Sequence, residues 1–117
     1  MFDAAVLTAL RNDAEVHIRT RAQTKPVPIW VVVVGDAAFV RSVRGPKGKW
    51  YVAAAADGEA MLEVGGWQIA ATVTAVTDAS MIDAVSQAFL RKYAGSPYAK
   101  SIVAPDTLPT TLRLDPK

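Results

Sequence analysis

Between Arg41 and Tyr51 the chain reads RSVRGPKGKWY, placing the cations Arg41, Arg44, Lys47 and Lys49, the hydroxyl of Ser42 and the indole of Trp50 within one short segment. These residue types suit an anion. A phosphate needs several converging donors, and cations that stay protonated must meet its charge. The turn Gly45-Pro46-Lys47-Gly48 lets the backbone approach a ligand closely. If a helix opens at Lys49-Trp50, its free amides and dipole point at the same anion. Trp30, Trp50 and Tyr51 would add a flat apolar wall for an aromatic ring. A solvated basic hairpin end, with Trp50 capping the core, is the other reading of the same residues, because such turns are ordinary surface chemistry.

Other chemistries find little support. The chain has no cysteine, which excludes disulfides, thiol redox chemistry and cysteine-based metal sites. The single histidine, His17, lies between Glu15 and Arg19 on the polar side of an alternating stretch and reads as structural. Asp36, Asp57, Glu59 and Glu63 are scattered over turns and strand edges, so no metal site is expected. Neither Ser42 nor Ser96 has a histidine–aspartate partnership in sequence, and no catalytic acid or base is assigned. Tyr93, Ser96 and Tyr98 read as a helix stop with core-facing rings, with a pocket wall as the alternative. Met61 and Trp67 read as packing residues.

The formal charge of +2 over 117 residues is too small for a general nucleic-acid binder, and no apolar run approaches the length that spans a bilayer. The N-terminus lacks a basic-then-apolar signal pattern, so the expected compartment is the cytoplasm. The length predicts a single domain over residues 1–117.

The elements that would position the basic segment can be read from periodicity. Asp3 caps a predicted helix over residues 4–11, with Phe2 and Leu7 as a hydrophobic staple. Residues 15–21 alternate as a half-buried strand, and residues 29–34 (IWVVVV) form a continuous β-branched run suited to burial on both faces. Gly35-Asp36 turns into a strand over 38–43, where alternation would set Ser42 and Arg44 on one face. In residues 50–56 Trp-Tyr-Val favours a strand and the four alanines a short helix ended by Gly58, and the helix is the preferred reading. Residues 59–64 and 67–76 form a hairpin around Gly65-Gly66. Ser80 and Asp83 suggest a capping box for a helix carrying Ile82, Val85, Phe89 and Tyr93 on one stripe. A strand over 110–114 closes the chain. The expected fold is α+β: a small split barrel of about six antiparallel strands flanked by two or three helices.

The run of apolar strand, Gly-Asp turn, FVRS, Gly/Lys turn, KWY, small residues and MLEVGGWQIAATV resembles the FMN-binding split barrels over residues 28–78. That superfamily includes pyridoxamine-phosphate oxidase-like proteins and deazaflavin-dependent nitroreductases. With the SPYAKSIV and TTLRL segments that follow, the whole resembles a small uncharacterised bacterial family usually grouped with these barrels. The resemblance implies that Arg41, Ser42 and Lys49 hold the phosphate of FMN or a deazaflavin, with Trp50 beside the ring and Arg44 and Lys47 contributing by proximity. It also implies a homodimer with the site at the subunit interface and an oxidoreductase acting on an unidentified small molecule. Val52-Ala53 stands where many relatives carry Asn-Leu. A barrel that has lost its cofactor and keeps the basic groove for an anionic metabolite or a partner chain is the alternative.

Overall fold

In the computed structural model, which describes residues 1–117, helix α1 (Ala4–Asn12) begins at Asp3, whose carboxylate accepts from the Val6 amide at 3.0 Å. Strand β1 (Val16–Arg19) buries Val16 and Ile18 and exposes His17. The continuous strand expected over residues 29–34 is instead two strands, β2 (Val27–Ile29) and β3 (Val31–Val34), broken at Trp30. The break gives the sheet its shape. Hydrogen bonding runs in the order β2-β1-β5-β6-β7-β4-β3, with β4 (Ala37–Val40), β5 (Glu59–Val64), β6 (Trp67–Ala75) and β7 (Leu112–Pro116) completing the set. The two sheet edges are therefore consecutive in the chain, and Trp30 alone joins them. One bent segment pairs with β1 through β2 and with β4 through β3, all antiparallel. The result is a nearly closed antiparallel barrel, with seven strands where about six were expected.

Pairing of Val64 with Trp67 leaves Gly65 and Gly66 as a two-residue turn at φ 55° and 85°. Such a primed turn needs positive φ at both central positions, which is why Gly-Gly stands there. Ala60, Leu62 and Val64 enter the barrel core with Val16, Ile18, Val31, Val40, Leu112 and Leu114, and α1 adds Val6, Leu7 and Leu10. Strands β3 and β4 are buried on both sides, as the β-branched run implied for β3. Their other face, with Val32, Ala37 and Phe39, packs against Val85, Phe89 and Tyr93 of helix α3 (Ala79–Lys92, with Tyr93 as its C-cap) and Ile102 of helix α4 (Ala99–Ile102). The cap of α3 is Asp78 rather than Ser80: its carboxylate accepts from the Met81 amide at 2.9 Å and from the Ser80 hydroxyl at 2.7 Å. Helix α2 (Lys49–Asp57) forms where the alanine run placed it, and Gly58 closes it in the left-handed region at φ 70°.

Candidate functional site

Strand β4 ends at Val40, earlier than its apolar pattern suggested, so Arg41 and Ser42 lie just past the strand rather than on it. Val43 and Arg44 form a turn closed by the Gly45 amide donating to the Ser42 carbonyl at 2.9 Å. Strand alternation therefore does not set Ser42 and Arg44 on one face; what they share is the lining of one cavity. A 3-10 turn over Gly45–Lys47 then leads through Gly48, the N-cap, into α2.

The four cations of this segment have different surroundings. Arg41 is 2% exposed. Its Nε donates to Thr111 Oγ1 at 2.8 Å, Nη1 to Ser86 Oγ at 2.8 Å and the Ile102 carbonyl at 3.4 Å, and Nη2 to the Ile82 carbonyl at 2.8 Å. The guanidinium also lies 5.6 Å from the Phe89 ring centroid. No carboxylate pairs with it, and burial pushes its pKa down to about 10, so it stays charged at neutral pH. Four of the five N–H donors of a guanidinium are thus used inside the protein. Arg41 ties the end of β4 to α3, α4 and the start of β7, so the guanidinium expected at the phosphate lines the cavity with most of its donors spent on framing it. Arg44, Lys47 and Lys49 are exposed and donate to no protein group. Arg41, Arg44 and Lys49 line this cavity of about 610 Å³ together with Ser42, Gly48 and Trp50; Lys47 does not line it.

Ser42 is the most informative residue of this wall. It is 1% exposed, and its amide donates to Thr110 Oγ1 at 3.0 Å, yet its own Oγ has no partner. An unpaired buried hydroxyl costs about 1–3 kcal/mol. Gly48 packs directly on it: an added Cβ would fall inside the contact distance of Ser42 Oγ. The φ of Gly48, −58°, suits any residue, so close approach rather than backbone freedom is what glycine supplies here. No side chain caps α2, so its N-terminus opens beside Gly48 with Lys49 exposed and the unpaired Ser42 hydroxyl packed behind.

The threonines of the TTLRL segment hold this arrangement. Thr111 Oγ1 accepts from Arg41 and donates to the Leu108 carbonyl at 2.8 Å, while Thr110 Oγ1 accepts from Ser42 and donates to the Thr107 carbonyl at 2.6 Å. Each hydroxyl acts in both directions, so these buried groups are satisfied.

Other walls come from residues 15–30 and from α4. Trp30 lines the cavity at the bend that closes the barrel, backed by the Tyr93 ring stacked at 3.9 Å and 3°. The Tyr93 hydroxyl donates to the Ala14 carbonyl at 2.7 Å and accepts from the Val31 amide at 3.2 Å, which fixes that stack. Glu15, Gln23, Ile29, Tyr98 and Ser101 also line the space. Tyr98 is 68% exposed at the edge, whereas Tyr93 is a core residue, so the two tyrosines of the helix stop divide between the two roles considered for them. Tyr51 and Ser96 lie outside the lining, with Tyr51 edge-on to Trp50 at 6.4 Å. Gln23 carried no distinguishing pattern in the sequence; only its tertiary neighbours mark it. No three His, Asp or Glu side chains gather where they could hold a metal ion.

The sequence over residues 6–114 matches the family model DUF2255, described as uncharacterized proteins conserved in bacteria. The chain belongs to this family. No curated protein matches it. Among solved structures, this family member is similar to a candidate 5-nitroimidazole antibiotic resistance protein from Bacteroides thetaiotaomicron. The TM-score is 0.59 at 12% identity, covering 99% of this chain and 80% of the other. At that identity the likeness carries the fold: both are split-barrel-like. No helix is long and apolar enough to cross a membrane.

Proposed function

We propose that this DUF2255 protein binds a flavin-type cofactor, FMN or a deazaflavin, by its phosphate, and acts as a cytoplasmic oxidoreductase on a small molecule. The observation that carries the reading is the unpartnered Ser42 Oγ, buried against Gly48 at the N-terminus of α2 with Lys49 and Arg44 beside it. A hydroxyl kept dry and unpaired at a cationic helix end is satisfied when a phosphate oxygen accepts from it. The cavity volume of about 610 Å³ is of the size that takes a mononucleotide-scale ligand.

The bound ring would supply hydride or electron transfer. The protein's part is positional. Lys49 and Arg44 neutralise the phosphate, and Ser42 donates to it. Gly48 lets it reach the backbone, Trp30 and Trp50 exclude water from an aromatic ring, and Arg41 holds the frame. The exposed apolar side chains Val43 and Tyr98 at the cavity's edge, 55% and 68% exposed, are suited to cover by a second copy, so a homodimer closing the site belongs to the proposal.

The test is fluorescence quenching of FMN and of 5-deaza-FMN by the purified protein. At least one should bind at micromolar concentration or tighter, and Lys49→Ala should weaken it tenfold or more, about 1.4 kcal/mol. No quenching of either removes the cofactor reading. Competition by inorganic phosphate with no flavin affinity would leave a general anionic-metabolite pocket instead.

A further inference from the structure

We infer that Gln23 is the residue that selects the heterocycle, by accepting a hydrogen bond from an N–H on its edge. The inference rests on the cofactor reading above and extends it from the phosphate to the ring. Three buried side-chain polar atoms lack a partner, Ser42 Oγ, Gln23 Oε1 and Glu63 Oε2; the first two belong to residues lining the same cavity, while Glu63 sits beside Arg19 on the outside of the barrel. Buried polar atoms are nearly always paired, so two orphans on one cavity mark what its occupant must offer.

The two orphans ask for opposite things. Ser42 Oγ can donate, and it sits among cations. Gln23 Oε1 can only accept, and among the cavity-lining residues between 15 and 30 the one charged group is the acceptor Glu15. A matching ligand is therefore bipolar: an anionic ester, and a flat ring that carries an amide or imide N–H. Rings without such a donor leave Gln23 unpaired and are rejected, because a site built around a hydrogen bond discriminates strongly against analogues that lack it.

Gln23 is also held in place. The Thr20 amide donates to the Gln23 carbonyl at 3.1 Å, and the Gln23 amide donates to Thr20 Oγ1 at 3.1 Å, so a reciprocal pair fixes its backbone against β1. Thr20 is itself buried, at 7% exposure. An acceptor presented from a locked turn is directional, as a selecting group must be.

The experiment compares FMN with 3-methyl-FMN, and 5-deaza-FMN with its 3-methyl derivative, on the wild-type protein and on Gln23→Leu. Methylation removes the ring N–H and leaves the phosphate intact. The wild type should bind the methylated ring at least tenfold more weakly, and Gln23→Leu should bind both members of a pair alike. Equal binding of a pair by the wild type overturns the inference while leaving the phosphate reading in place. Discrimination that persists in Gln23→Leu also overturns it. Failure of every flavin to bind removes the cofactor reading and this inference together. The wild-type comparison needs no folded variant.

Discussion

Arg41 and Lys49 stand at the two ends of one basic segment and have opposite surroundings. The Arg41 guanidinium is buried, donates to four protein groups and carries its charge inward against Phe89. Lys49 is exposed at the opening of α2, with no protein partner. A charge that the fold has already solvated with its own carbonyls and hydroxyls has little left for a ligand. A charge left in water beside an unpaired hydroxyl costs the fold nothing and remains available. The same residue class thus serves as frame at one end and as binding group at the other, and burial decides which.

The largest expected effect separates these roles on stability. Arg41→Leu leaves Thr111, Ser86 and two carbonyls short of a donor and should cost more than about 3 kcal/mol in urea unfolding. Lys49→Ala should change unfolding by less than about 0.5 kcal/mol. If both substitutions leave unfolding unchanged, the distinction between frame and binding group is lost.

Gly48→Ala comes next. Its Cβ collides with Ser42 Oγ, and the strain of overpacking is about 1–3 kcal/mol. Flavin binding should disappear with it, because the methyl occupies the space where a phosphate would meet the backbone. A variant of wild-type stability that still binds would show that the close approach is incidental.

Ser42→Ala is smaller and has the opposite sign on stability. Removing a buried hydroxyl with no partner should leave the free protein equally stable or up to about 1 kcal/mol more stable, while FMN affinity falls. Calorimetry with and without ligand reads both. A loss of stability without ligand would mean that Ser42 Oγ is satisfied in the folded protein and is not waiting for an anion.

A pH effect concerns the stack behind Trp30. Lys92 donates to the Leu10 carbonyl at 2.9 Å and the Val31 carbonyl at 2.7 Å, and burial pushes its pKa down to about 8, with Asp13 opposing. Its unfolded value is about 10.4, so between about pH 8 and 10 the unfolded chain binds more protons and stability rises with pH. Tyr93 is pushed up to about 12 by burial, with Val31 opposing and Glu15 adding. Above its unfolded value of about 10 the folded state keeps the proton longer, so that contribution is lost as pH climbs to 12. Urea midpoints should peak near pH 10, and Lys92→Met should flatten the rising limb.

Much of the barrel was legible because its signals are local. Alternation marked β1 and the β5–β6 hairpin, Gly65-Gly66 fixed a turn that needs positive φ, and the alanine run with Gly58 marked α2. The bend at Trp30 was not legible, since a uniform β-branched run looks continuous until its two halves find different partners, β1 and β4. The threonine network around Thr110 and Thr111 was hidden for the same reason, since its bonds to Arg41 and Ser42 reach across the fold, and α4 is too short at four residues to show a helical period. Within the site, residue types alone pointed to Arg41, Ser42, Arg44, Lys49 and Trp50, all of which line the cavity. They could not show that Arg41 spends its donors on the protein, that Lys47 is not among the lining residues, or that Gln23 joins the wall from a distant segment.

The most direct test of the phosphate cradle is a paired titration of the wild-type protein with FMN and with riboflavin, which differ only by the phosphate. FMN should bind at least tenfold more tightly, and Lys49→Ala should collapse the difference. Equal affinity for the two, or a difference that survives Lys49→Ala, would contradict the assignment of Ser42, Gly48 and Lys49 as the anion site.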